Sequence, residues 1–405
     1  MESVRPVAAL PPPADGSPTW RLAMLVAAIV AACPAAVVAA DSAAARPVTG
    51  TEVPEFAPLD RAMLAFMDDR GIPCGTLAVM REGRIVLSRG YGHADEAHSQ
   101  AIEPDAPLRL ASLVKPLTAA AVRRLVSRAA LDEQTRVVEF LGLADPPPAD
   151  LDPRWLQITV GQLLDHRGGF DRQAAGDPMF QSREIAAALG LAGPSSAADT
   201  VRFMLRRPLD FDPGARTAYS NFGYCLLGRV IEKAVGRPYV DVLRDEILAP
   251  LGIGSVALGR SLPADRDPRE PWYHDPQRTT SVFDPAARET VRWPDGGFHL
   301  EAMDAHGGLV GSAPDMVRFL AHYGFDGRPV TADHRPAGQF FGSLPGTFTV
   351  MARRGDGIIL AALFNQRGDA SGLAYMPILE DLGAAIDGVM AWPDGGAPTG
   401  APRTP

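Results

Sequence analysis

Strand-like sequence lies near both ends of this 405-residue chain, and helical sequence fills the middle. Thr76 to Arg81, a Glu82-Gly83-Arg84 turn and Ile85 to Arg89 read as one β-hairpin; Thr347 to Arg354, a Gly355-Asp356-Gly357 turn and Ile358 to Phe364 read as another. Apolar spacing predicts helices at 59–70, 116–130, 159–166, 199–206, 222–235, 315–323 and 376–391. A two-stranded hairpin is marginal alone. The simplest assembly joins both ends of the chain in one antiparallel sheet flanked by helices, an α/β (α+β) class, with an all-helical subdomain inserted at roughly 125–250. Residues 260–298 are rich in Pro, Asp and Arg and lack a period, so they read as an irregular excursion whose 265–292 stretch is solvated.

The flanks read differently. Leu22 to Ala40 is nearly unbroken apolar sequence after Arg21, with small residues before Asp41. This pattern suits a signal peptide cut after Ala40, a lipoprotein box acylated at Cys33, or an uncleaved membrane anchor through residues 22–40. Each of the three exports the rest of the chain to the periplasm or the extracellular space. Residues 41–57 read as a linker, 58–391 as the folded domain, and 392–405 as a Pro/Gly-rich disordered tail. With 39 Lys+Arg against 48 Asp+Glu the net charge is −9, and no basic block offers a nucleic-acid surface. Three cysteines exclude a disulfide scaffold; Cys74 and Cys225 read as two buried thiols, with pairing after export the alternative. Oligomeric state is not legible.

Only Lys115 and Lys233 among the 39 basic residues are lysines; the rest are arginines. A lysine kept in such a chain is a candidate for losing a proton, which arginine cannot do. Lys115 closes Ser112-Leu113-Val114-Lys115, an S-x-x-K at a helix start that sets hydroxyl and amine one turn apart on one face. Apolar flanks suggest burial, which lowers an amine's pKa and makes it a base. A surface helix start with a snorkelling lysine is the alternative. Tyr219-Ser220-Asn221 lies on a loop just before the helix at 222. Its phenol can shuttle a proton and its amide can orient a substrate or the lysine; a plain helix cap reads the same triplet. Gly342-Ser343-Leu344-Pro345-Gly346 reads as a turn ahead of the last hairpin, where the Ser343 N–H could join that of Ser112 as an oxyanion hole. His166 reads as a loop hydrogen-bonder. His299, Asp304 and His306 lack the spacing of a metal site, and no metal or cofactor is expected. Trp272, Trp293 and Phe298 are candidates for a cleft mouth or for packing.

Taken together, these motifs resemble the serine β-lactamase and penicillin-binding-protein-like family, including class C β-lactamases, D-alanyl-D-alanine carboxypeptidases and family VIII esterases. The resemblance runs from about 58 to 391 and includes ITVGQLLDHRGGF (158–170), DPGARTAYSNFGYCLLGRVIE (212–232) and HGGLVGSAPDMVRFL (306–320). It implies an α/β sheet domain and a helical domain with the site between them. It also implies Ser112 as nucleophile, Lys115 as general base, Tyr219 as proton donor to the leaving group, and Asn221 as substrate guide. The family's third motif begins with Lys or His; here the triplet is Phe340-Phe341-Gly342. Losing that charge-assisted bond to a substrate carboxylate costs about 1.5–3 kcal/mol. Arg216, Arg353 and Arg354 are candidates to replace it. The expectation is an exported serine hydrolase acting on a small ester or amide. A carboxypeptidase or β-lactamase acting on cell-wall peptides or drugs is the enzyme alternative, and a catalytically faded envelope sensor is the other.

Overall fold

The computed structural model describes residues 46–144, 148–284, 286 and 289–392. The expected export segment 22–40, the first linker residues and the tail from 393 lie outside them. Six strands form the main sheet: β1 (Val48–Thr49), β2 (Cys74–Arg81), β3 (Arg84–Gly92), β4 (Gly338–Leu344), β5 (Thr347–Arg353) and β6 (Ile359–Phe364). Their order is β1-β3-β2-β6-β5-β4, with every pair antiparallel. The two ends of the chain meet where β6 pairs with β2, Ala361 opposite Ala78. The first hairpin turns on Glu82 and Gly83, both at positive φ (52° and 77°). A two-residue turn of that hand matches the twist of the strands it joins.

Period-two alternation divides the sheet between two cores. On one face Leu77, Val79, Phe348, Val350, Leu360, Ala362 and Phe364 pack with α1 (Ala57–Asp69) and the C-terminal helix Ile378–Asp387. On the other, Ala78, Met80, Met351, Ile359, Ala361 and Leu363 join the larger core. That core also holds the apolar faces of α2 (Val114–Ser127), α3 (Asn221–Val235) and α4 (Ala313–His322). Most of the inserted helices lie between Val137 and Leu248, around α3.

Several expectations need correction. The linker does not extend to 57: Val48 and Thr49 pair with Tyr91 and Gly90, and Arg46 donates to the Ile72 and Pro73 carbonyls. Nor does the tail begin at 392, since the Trp392 ring packs edge-on to Phe56 at 5.3 Å. Gly342 and Ser343 belong to an edge strand, β4, rather than to a turn. Its alternation is hidden by Gly, Gln and Ser among two phenylalanines. A small sheet of Leu108–Arg109, Ala257–Leu258 and Leu309–Gly311 was also unforeseen, its strands being too short to carry a period. The 260–298 segment is irregular as expected, but it is not simply solvated. Arg109 is fully buried beneath it, its guanidinium 4.1 Å from the Tyr273 ring centre and 4.0 Å from Glu270. Arg266 pairs with Asp295 at 2.7 Å beside it. Cys74 and Cys225 are both buried free thiols.

The sheet's outer core makes a simple stability test. Leu59 on α1 is fully buried, whereas Leu156 is 46 % exposed. In urea unfolding, Leu59→Ala should cost about 2–5 kcal/mol, and Leu156→Ala should stay within about 0.5 kcal/mol of the parent.

Candidate active site

The small sheet brings the chain to Leu110, and a single 3-10 turn, Ala111–Leu113, leads into α2. Ala111 takes φ +49°, a left-handed backbone that residues with a Cβ avoid. Such strain survives only where surrounding structure enforces it, and here it sets the direction of Ser112. The edge strand β4 closes over the turn. A Cβ built on Gly342 would lie 2.6 Å from the Ser112 nitrogen and 2.7 Å from the Leu110 oxygen, so only glycine permits the approach. Thr349, opposite Gly342 on β5, clasps the same turn through a 2.8 Å bond to the Leu110 carbonyl.

Three of the expected site residues converge on Ser112 or on each other. The Ser112 hydroxyl lies 2.6 Å from the Tyr219 phenol and 3.2 Å from Lys115 Nζ. Lys115 Nζ also donates to Asn221 Oδ1 at 2.7 Å and to the His306 carbonyl at 2.8 Å. Tyr219 precedes α3, and Asn221 is its first residue. The Ser220 hydroxyl caps the helix through the Gly223 N–H, which fixes both neighbours at the helix entrance. Ser343 lines the same cleft, and its hydroxyl is buried without a hydrogen-bond partner among the described residues.

Burial sets the proton positions. Lys115 is fully enclosed, and loss of solvent holds its pKa well below the usual lysine value of 10.5. The Asp177 carboxylate opposes that shift and Arg172 adds to it. Burial pushes the Tyr219 phenol up to about 12, so it keeps its proton at neutral pH. His166 accepts the Ser220 N–H on Nδ1 at 3.2 Å and stacks near Tyr219, 4.6 Å between ring centres. Burial, reinforced by Lys115, pushes it down to about 3. It is therefore a neutral structural histidine, as expected. His299 bonds the Ser195 carbonyl and Asp304 pairs with Arg229, and no metal-ligand cluster occurs among the described residues.

A cleft of about 460 Å³ opens over Ser112. Its lining includes Arg172, Asp177, Phe180 and Asn221 from the helical region, and Trp293, Ser343, Leu344 and Arg367. Trp293 thus lines the cleft, whereas Phe298 is buried and Trp272 packs on His274. The arginines expected to replace the missing basic residue are engaged elsewhere. Arg353 is buried and donates to the Leu320 carbonyl, Arg354 pairs with Asp356 and Asp387, and Arg216 pairs with Asp171. The cations that do reach the cleft went unnoticed in the sequence. Arg172 stacks over the Tyr219 ring at 4.6 Å and has no carboxylate partner among the described residues. Arg367 is 12 % exposed, with Asp275 at 3.8 Å as its ion partner and the Trp293 ring 5.3 Å away. Asp177, bonded to Asn221 at 2.6 Å, was also missed. In this arrangement a hydroxyl lies between a buried amine and a protonated phenol, a set of groups that can activate a serine for acyl transfer.

Comparison with known proteins identifies the family. The beta-lactamase family pattern matches residues 59–385. A probable fimbrial assembly protein FimD from Dichelobacter nodosus is 33 % identical over 217 residues, 53 % of this chain and 48 % of that protein. Esterase EstB from Burkholderia gladioli is 28 % identical over 263 residues, 64 % of this chain and 62 % of its own. The chain spans about half the length of the FimD relative. Among solved structures, D-amino acid amidase from Ochrobactrum anthropi shares the fold with a TM-score of 0.63 at 24 % identity, covering 81 % of this chain and 99 % of the amidase. A match over residues 59–385, together with the sheet-and-helix architecture around Ser112, places this chain in the beta-lactamase family of serine hydrolases.

Proposed function

We propose that this protein is an exported hydrolase that transfers the acyl group of a small ester or amide to Ser112 and then to water. The observation that carries this reading is the placing of the Ser112 hydroxyl, 3.2 Å from a buried amine and 2.6 Å from a phenol. A neutral amine has two hydrogens and one lone pair. The Asn221 Oδ1 and His306 carbonyl oxygens accept the two hydrogens, and the lone pair is left for the serine proton. Ser112 Oγ attacks the acyl carbonyl while Lys115 takes that proton. The resulting oxyanion faces the N–H groups of Ser112 and Ser343, which stabilise it as charge develops. Tyr219, still protonated at neutral pH, gives its proton to the leaving group. Lys115 returns a proton to the phenolate, which resets Tyr219. Water then attacks the acyl-enzyme and loses a proton to the same pair, and Ser112 leaves with its hydrogen restored. Export through residues 22–40 is part of this proposal and predicts recovery of the protein outside the cytoplasm on cell fractionation.

A reactive-serine probe tests the mechanism. A fluorophosphonate should add one mass increment at Ser112, and Ser112→Ala should lose both the increment and p-nitrophenyl ester turnover. Lys115→Arg keeps the charge and removes the base. Its turnover should drop by about 100-fold or more, the usual share of general-base catalysis; full activity would exclude Lys115 from that role. Turnover should rise with pH as Lys115 deprotonates, at a pH well below 10.5, and fall again as Tyr219 ionises near about 12. A rising limb at the ordinary lysine pH would contradict the buried-amine base.

Arg367 supports a second reading, a carboxypeptidase or β-lactamase-like preference for substrates that carry a carboxylate. Its mostly buried guanidinium lines the cleft, 3.8 Å from Asp275 and 5.3 Å from the Trp293 ring centre. For a carboxylate-bearing ester, Arg367→Gln should raise KM by about 10-fold, and for a neutral ester it should leave KM alone. Equal effects on both substrates would remove this reading.

A further inference from the structure

The two ends of the Asn221 amide have the same size, so either could face Lys115. Only one orientation suits an amine that must place its hydrogens elsewhere and keep a lone pair for Ser112. The oxygen faces Lys115 Nζ at 2.7 Å, and Nδ2 donates to Asp177 Oδ2 at 2.6 Å. We propose that Asp177 is the positioning residue that locks the Asn221 amide and so aims the Lys115 lone pair at Ser112. This inference rests on the reading of Ser112 and Lys115 given above.

An ionised carboxylate accepts hydrogen bonds and cannot donate them. Turning the amide over would set carbonyl against carboxylate and NH2 against an amine whose hydrogens point at it. Both bonds would be lost together. Asp177 is itself held in place: its Oδ1 accepts the Met179 N–H at 3.1 Å and caps the turn Pro178–Phe180. The amide and amine are buried and the carboxylate is half-buried in the cleft lining, where charge-assisted bonds gain strength.

The carboxylate also favours the ammonium form of Lys115. The titratable and charged groups around the amine come from several elements. Asp177 and Arg172 lie on the segment after Phe170, Tyr219 stands ahead of α3 and Tyr224 lies on it, His166 follows Leu164, and His306 precedes the strand Leu309–Gly311. Burial keeps both imidazoles neutral and both phenols protonated near pH 7. Burial is the largest influence on the amine's titration, and Asp177 and Arg172, opposite in sign, are the charges that adjust it. Removing the negative one makes the ammonium less favourable, so the amine loses its proton at lower pH.

The test is the rate at which a fluorophosphonate labels Ser112 in the full chain, followed by mass spectrometry across pH. Asp177→Asn keeps the volume and a capping oxygen but loses the charge and the obligatory acceptor. Asp177→Ser keeps a cap and is too short to reach Asn221, and it serves should the first variant fold poorly. In either variant the plateau rate should fall by about 10-fold, the scale of a lost charge-assisted bond, and the rising limb should move to lower pH. A plateau and limb matching the parent would overturn the positioning role. A lower unfolding midpoint with an unmoved limb would also overturn it, leaving Asp177 as a turn cap. If the parent protein fails to label, or Ser112→Ala labels equally, the underlying reading of Ser112 fails instead.

Discussion

The desolvation of one amine organises this site. A lysine taken out of water loses its preference for the charged form, and each of its remaining hydrogens needs an acceptor. Lys115 finds those acceptors on two unconnected elements, the Asn221 side chain at the start of α3 and the His306 carbonyl after the turn Leu300–Met303. Helix α2 carries the amine, but it can be solvated by protein only if the helical insertion and the 300–311 segment both dock against α2. The base is therefore as good as the tertiary packing around it. This explains why a motif only four residues long is weak by itself: its chemistry is completed by residues nearly 200 positions away.

Much of the architecture was legible because it obeys a period. Both hairpins, three helices of the insertion and the joining of the two chain ends follow from alternation of two or spacing near 3.6, whereas the inserted helices Val137–Leu141, Arg172–Ala175, Ser182–Leu189 and Tyr239–Leu243 were missed. Elements too short or too mixed to show a period were lost, notably the small sheet that delivers Ser112 and the edge strand Gly338–Leu344. At the site, Ser112, Lys115, Tyr219 and Asn221 stood out because each belongs to a local motif, and Lys115 doubly so in a chain that otherwise uses arginine. Asp177, Arg172 and Arg367 belong to no motif. Their meaning comes from where a loop folds, and nothing about a Gly-Asp-Pro or Gln-Arg-Gly triplet announces that it faces a cleft.

The arginine bias has structural consequences beyond the lysine it leaves conspicuous. Arg109 is buried whole, which a lysine would tolerate badly in that setting. Its planar head stacks on Tyr273 and donates to the Pro294 and Arg260 carbonyls while lying near Glu270. Because the backbone N–H of Arg109 also donates to the Tyr273 hydroxyl at 2.9 Å, the irregular 260–298 segment is tied to the strand that leads to Ser112. Apparent surface composition thus becomes an internal brace. Charge in a sequence cannot distinguish the two cases, since both require only arginines and carboxylates near each other.

The same reasoning bears on the Phe340-Phe341-Gly342 departure. Glycine at 342 is dictated by the 2.6 Å approach to the Ser112 nitrogen, so that position has no freedom. Phe340 is under no such restriction: it is half-buried and packs against the larger core, so it stabilises the edge strand where a basic residue would serve substrate. Positive charge has not left the cleft as a result. It comes from outside the sheet strands, at Arg172, the first residue of a short helix, and at Arg367, both of which line the cleft. The Ser112 turn is thus held by β4 and α2, while the cleft's arginines are carried by separate segments.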